Sequence, residues 1–202
     1  MFIYSKKGNI MKTIKVDRRI RKTRDQLKRT LAELVRDHDL KDITVKDITD
    51  KADLNRGTFY LHYKDAYDLM EKMEDDIITE FQDMIDKYKP KSSLGTLLPM
   101  LDPIADYMLE NKDICSSMFQ ARSNSSFMPK FRQLISDNGA EFIKAKFPNY
   151  NKEIYDYYIT FISFGILGQL QHWFDTDLHF PKNDLIKTID KIITGAAISV
   201  LA

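Results

Sequence analysis

The sequence predicts an all-α protein in two parts, a small three-helix unit followed by a larger helical bundle reached through one long helix. Three observations predict it. Apolar residues recur at three- and four-residue spacing along most of the 202 residues, and no alternating strand pattern competes. Residues 44–63, TVKDITDKADLNRGTFYLHY, read as two short capped helices divided by a tight break. Residues 66–88 carry one continuous apolar stripe, long enough to leave a small unit and enter a second one.

Taken in order, residues 1–16 are expected as a basic arm without fixed structure. A first helix over about 19–37 places Leu27, Leu31, Leu34 and Val35 on one face. Thr44 is an N-cap candidate with Asp47 three residues on, after which Val45, Ile48 and Ala52 share an apolar face. Asp53 and Leu54 break this helix, and Asn55 caps the next, expected over 56–63. Phe59 and Tyr63, four apart, turn inward there, which leaves Arg56, Thr58, Tyr60 and His62 outward.

That outward face suits DNA. A guanidinium serves guanine edges or phosphate, a threonine hydroxyl and methyl serve either, and a phenol or imidazole reaches a phosphate oxygen or a base. Gly57 lets backbone come close at some cost in helix propensity. The candidate contact set is Thr44, Asn55, Arg56, Gly57, Thr58, Tyr60, Leu61, His62 and Lys64. Charge agrees: residues 1–30 hold eleven Lys or Arg and two Asp, a net +9, whereas the whole chain is +1, so the remainder carries −8. A basic end beside an acidic body is the footprint of docking on phosphates. The plainer reading of that end is a solvated basic tail.

Residues 17–73 resemble the N-terminal domain of TetR-family transcriptional regulators. The recognition segment of that family commonly reads T-[FL]-Y-x-H-F-x-[ND]-K, and this chain has Thr58, Phe59, Tyr60, Leu61, His62, Tyr63, Lys64, Asp65 and Ala66 in its place. The resemblance implies a TetR-like architecture: a three-helix helix-turn-helix DNA-binding domain over 17–65, then a linking helix and a C-terminal effector-binding and dimerisation domain over 66–202. It also implies that Thr58, Tyr60 and His62 face DNA over a core of Phe59 and Tyr63. Two positions depart from the family. Asp53 stands where Gly is usual. Ala66 stands where a phosphate-binding Lys is usual, so that role is absent or falls to Lys64.

Beyond a break at Lys89, Pro90, Lys91, Ser92 and Ser93, helices are expected over 94–110, 113–122, 127–146, 152–175 and 182–201, with Pro99 and Pro103 delaying or kinking the first. The last two are apolar over more of their circumference than a surface helix needs. An intrachain core is one use of the excess and a two-fold interface the other, through Ile162, Ile166, Gln169, Trp173, Ile189, Ile193, Ala196 and Val200. The segment FISFGILGQLQHWFDTDL is similar to the C-terminal domain of one TetR subgroup, that of the dihydroxyacetone kinase activator.

The family resemblance implies a small-molecule effector site between the linking helix and the bundle. The candidates are Met100, Tyr107, Met108, Cys115, Met118, Phe119, Phe127, Met128, Phe131, Phe161 and His172, for each of which plain core packing is the competing role. Catalysis finds no support. There is no Gly-rich phosphate loop or G-x-S-x-G elbow, and His38, His62, His172 and His179 lack metal-ligand spacing, so neither cofactor nor metal is expected. The run Glu74, Asp75 and Asp76 reads as a solvated helix turn. A lone Cys115 fits a reducing cytoplasm, and no apolar stretch reaches the roughly 20 residues a membrane span needs. The expectation is a homodimeric repressor on a near-palindromic double-stranded operator, released by an effector. The alternative is a protein-binding co-regulator or activator with a weakened DNA head.

Overall fold

The computed structural model of the protein describes residues 7–88, 96–119 and 126–201, with backbone alone for residues 7–17 and 145. Among the described residues there are nine α-helices and no strand. They are α1 (Lys7–Asp37), α2 (Val45–Lys51), α3 (Arg56–Tyr60), α4 (Ala66–Tyr88), α5 (Leu98–Glu110), α6 (Lys112–Phe119), α7 (Phe127–Lys146), α8 (Lys152–Asp175) and α9 (Lys182–Leu201), with a 3-10 turn at Leu40–Asp42. Contacts divide the chain into two compact units, residues 1–70 and 71–202, and the division falls inside α4.

In the first unit, Leu27, Leu31 and Ala32 of α1, Ile48 of α2, Phe59 of α3 and Leu69 of α4 are buried. Local hydrogen bonds explain why such short helices start and stop where they do. The Thr44 hydroxyl accepts from the Asp47 amide at 3.2 Å while the Asp47 carboxylate accepts from the Thr44 amide at 2.9 Å, a complete capping box. At the other end of α2 the Leu54 amide donates to the Thr49 carbonyl at 2.9 Å and the Asp53 amide to the Asp50 carbonyl at 3.3 Å. That pair of bonds requires left-handed backbone between them, and Asp53 supplies it at φ 51°. Asn55 then restarts the chain, its side chain accepting from the Gly57 amide at 2.7 Å. Gln26 of α1 fastens the turn by donating to the Ala52 carbonyl at 2.6 Å.

Two expectations here need correcting. α1 begins at Lys7 rather than near residue 19, so residues 7–16, expected as an unstructured arm, are helical; residues 1–6 lie outside the described residues. No proline interrupts residues 7–37, and Lys, Arg and Met are good helix formers, so the helix propagates toward its start. α3 ends at Tyr60 instead of Tyr63. The chain must turn within five residues to begin α4, where Asp65 accepts from the Asp68 amide at 2.8 Å and Asp68 from the Lys64 amide at 2.9 Å.

In the second unit α8 packs on α7 and α9, and α5 on α9. Ile143, Tyr155, Tyr158, Ile159, Ile162, Ala197 and Leu201 form one buried cluster. The Asp190 carboxylate pins the start of α5 by accepting from the Leu97 amide at 2.7 Å and the Thr96 hydroxyl at 2.9 Å. α5 therefore starts at Leu98, with Pro99 in its first turn, where a missing N–H costs nothing, and Pro103 inside it. Glu74, expected in a solvated turn, is 2% exposed. Its carboxylate accepts from the Ser126 hydroxyl and lies 3.4 Å from Lys130 Nζ, which also pairs with Asp75 at 2.6 Å. The sequence alone does not show the cation that lets a carboxylate be buried, because it arrives from 56 residues away.

Asp53 yields a prediction. Asp53→Val, a β-branched residue forced to φ 51°, should destabilise the protein by about 1–2 kcal/mol, whereas Asp53→Gly should leave stability equal or higher. Equilibrium urea unfolding of both variants checks it.

Candidate nucleic-acid interface

α3 is held from behind by Phe59, fully buried, and Tyr63, 2% exposed. Its other side is open: Arg56, Gly57 and Lys64 are exposed, Tyr60 is 58% exposed and Leu61 80%. Thr58 and His62 are half-buried at the edge of that face. The Tyr60 ring stands edge-on to Phe59 at 5.7 Å between centroids, so the buried ring orients the exposed one. Thr44 and Asn55 are exposed too, but their oxygens are committed to capping α2 and α3. By capping, they fix where the exposed residues of α3 stand.

Behind the face, the Arg24 Nε of α1 donates to the Tyr63 hydroxyl at 3.3 Å. Burial, with Arg24 nearby as a second cause, holds the His62 imidazole below its ordinary pKa, so at neutral pH it is an uncharged group able to donate or accept. Ala66 is buried at 4% and presents nothing outward, while Lys64 two residues earlier is exposed. On α1, Arg18, Arg19, Arg21, Lys22 and Arg29 are exposed. The unit thus joins a short, outward polar and aromatic face with a helix that exposes basic residues.

The second unit holds a cavity of about 150 Å³. Of the expected effector residues, Met100, Met108 and Phe131 line it. Cys115, Met118, Phe119 and Phe127 are buried elsewhere, and Phe119 is in an aromatic stack with Phe174 at 5.1 Å and edge-on to Phe127 at 5.1 Å. Burial pushes the Cys115 thiol up to about 12, so it is an inert core group. Tyr107 packs edge-on against Phe81 at 5.7 Å, and neither it nor the half-buried Met128 lines the cavity. Phe161 is 70% exposed and His172 exposed, so both point away from any interior site. Sequence reasoning misses aliphatic walls such as Ile135, Ile159 and Ile166, whose helical spacing looks the same as that of ordinary core.

The expected dimer residues divide as well. Ile162, Trp173 and Ile189 are buried within the chain, and the Trp173 indole donates to the Phe180 carbonyl at 2.7 Å. Ile166, Gln169, Ile193 and Ala196 are half-buried and Val200 is 48% exposed. The outward apolar residues of α8 are instead Ile154, Tyr157, Phe161 and Phe164. Four-residue spacing on an all-round apolar helix fits either side equally, and the intrachain core takes the side of Ile162 and Trp173.

Comparison with known proteins decides the family. Residues 95–195, half of the chain, match the TetR family of transcriptional-regulator C-terminal regions. The chain belongs to the TetR family of transcriptional regulators. The fold agrees across nearly its whole length. A Syntrophomonas wolfei protein assigned to the TetR-family regulators superposes with a TM-score of 0.68 at 15% identity, covering 90% of this chain and 98% of that one. The dihydroxyacetone kinase operon activator DhaS gives 0.60 at 15% identity, covering 89% and 98%. A TetR transcriptional regulator from Streptococcus agalactiae 2603V gives 0.59 at 21%, covering 90% and 98%. A curated relative, the uncharacterised HTH-type transcriptional regulator YxbF of Bacillus subtilis (strain 168), is 38% identical over 52 residues, 26% of this chain and 14% of that protein.

As a TetR-family member the protein is a DNA-binding transcriptional regulator and not an enzyme. Among the described residues no helix is long and apolar enough to cross a membrane. For its TetR-type head, Arg56→Ala and Tyr60→Ala should each weaken operator binding by about 1–3 kcal/mol without unfolding the protein. Fluorescence anisotropy on operator DNA, with circular dichroism as the fold control, measures this. Unchanged affinity in the double variant would remove α3 as the reader.

Proposed function

We propose that the protein is a homodimeric cytoplasmic repressor that grips a near-palindromic double-stranded operator with α3 of each protomer and is released when a small-molecule effector binds its second unit. The observation that carries this reading is the pairing in one chain of an outward face of Arg56, Tyr60, Leu61 and Lys64 with an apolar cavity in the bundle. A reader and a receptor are the two parts an effector-released regulator needs. In this reading Thr44 and Asn55 position the reader by capping, Thr58 and His62 edge it, Gly57 admits the duplex backbone, and the exposed arginines of α1 meet phosphates.

The dimer is supported by a stripe that the monomer leaves in water. Tyr157, Phe161 and Phe164, spaced by four and three along α8, are 75, 70 and 55% exposed, and Ile192, Ile198 and Val200 of α9 are 41, 55 and 48% exposed. Gly165 and Gly168 of α8 and Gly195 of α9 face open space where a Cβ would stand, room for a second backbone to approach. Apolar stripes of this kind mark interfaces, and a two-fold pairing also matches two reading heads to two half-sites.

A second reading, activation through a protein partner with a weakened DNA head, draws on Ala66, which is buried and offers nothing to a phosphate at the start of α4.

Phe161→Glu with Phe164→Glu should convert a dimer into a monomer, since central aromatic contacts at interfaces contribute about 2 kcal/mol or more each. Sedimentation equilibrium at micromolar concentration gives the answer, and the monomer should lose operator affinity with it. A wild-type monomer, or a dimer indifferent to both charges, would contradict the reading.

A further inference from the structure

The cavity is walled by five helices of one unit. α4 contributes Phe81 and Ile85, α5 Ala105 and Met108, α7 Leu134 and Ile135, and α8 and α9 complete it with aliphatic side chains and the ring of Tyr158. Among the described residues no Lys, Arg, Asp, Glu or His lines it. Two of its lining side chains carry hydrogen-bonding groups, and both are already engaged. Asn138 donates to Gln82 at 2.9 Å and to the Leu134 carbonyl at 2.9 Å, and accepts from Gln82 at 3.3 Å. The Tyr158 hydroxyl donates to the Ile193 carbonyl at 2.9 Å. A ligand bringing a charge or a hydroxyl into this space would strip it of water and offer no partner in return.

From this lining we infer that the cavity takes an uncharged hydrocarbon group of about benzene size, which makes the effector a small neutral aromatic or branched aliphatic compound, or a larger molecule that buries only such a group here. An apolar cavity of about 150 Å³ stays dry and accepts benzene, so size and chemistry agree. Met100 and Met108 in the wall are unbranched and adaptable, which lets the space fit flat and branched shapes alike. The identification of this occupant as an effector rests on the proposed function above; the class of group that the cavity binds does not.

The test uses the full-length protein and three probes of matched size, toluene, phenol and benzoate, with binding read by calorimetry and by the shift in thermal midpoint. Toluene should bind and raise the midpoint, and phenol and benzoate should bind roughly tenfold or more weakly because each leaves a polar group unpaired. Ala105→Leu and, separately, Ile135→Phe fill the space and should abolish toluene binding while circular dichroism stays unchanged. Benzoate or phenol binding as tightly as toluene overturns the inference, as does failure of all three probes to bind or toluene binding that survives both fillings. Operator affinity measured with and without toluene is a separate arm: toluene that binds in the cavity and leaves DNA affinity unchanged upholds the ligand class and sinks the effector reading.

Discussion

Everything the outward side of α3 presents depends on the burial of Phe59 and Tyr63 beneath it. A helix of five residues has no stability of its own, so the packing of those two rings decides both that α3 exists and which way it is turned. One residue of slip would rotate the helix by about 100° and bring Tyr60 into the core in place of Phe59. The turn before it serves the same end. Asp53 in left-handed backbone and the Asn55 cap bring the chain from α2 to α3 in four residues, and Gln26 holds the turn to α1. Arg56, Tyr60, Leu61 and Lys64 are outward because these interior contacts leave them nowhere else to go.

How much of this is legible in the sequence follows the range of the interaction involved. The capping box of Thr44 and Asp47, the Asn55 cap and the bounds of α4 and of α7 to α9 are set by residues within one turn of each other, and the structure has them as read. The face of α3 is legible for a similar reason, since two aromatic residues four apart leave one choice of inside. The early start of α1 is not, because a dense run of charge suggests a loose arm, yet charge is no barrier to a helix made of Lys, Arg and Met. Glu74 is not legible either, because its partners, Ser126 and Lys130, are more than 50 residues away in the chain.

The same limit governs the bundle. α8 is apolar all round, so periodicity does not say which stripe meets the chain's own core. The structure gives Ile162 and Trp173 to the core and leaves Phe161 and Phe164 outside. Effector candidates that stand out as Met or aromatic mostly pack one another, while the cavity is walled largely by isoleucines and leucines that carry no sequence mark. A cavity is a property of how helices fail to meet, and no single residue announces it. In the proposed scheme α4 and α7 both wall the cavity and are tied to each other by Glu74 and Lys130, so a ligand that displaces one displaces the other.

The most direct test of effector-gated, two-headed DNA reading is selection of bound duplexes from a random-sequence DNA pool by the full-length protein. The predicted result is enrichment of one sequence with two inverted half-sites, their centres about one helical turn or a multiple of it apart, and loss of that enrichment with Arg56→Ala and Tyr60→Ala. Recovery of DNA with no sequence in common, or of an asymmetric site unaffected by those two substitutions, would contradict it.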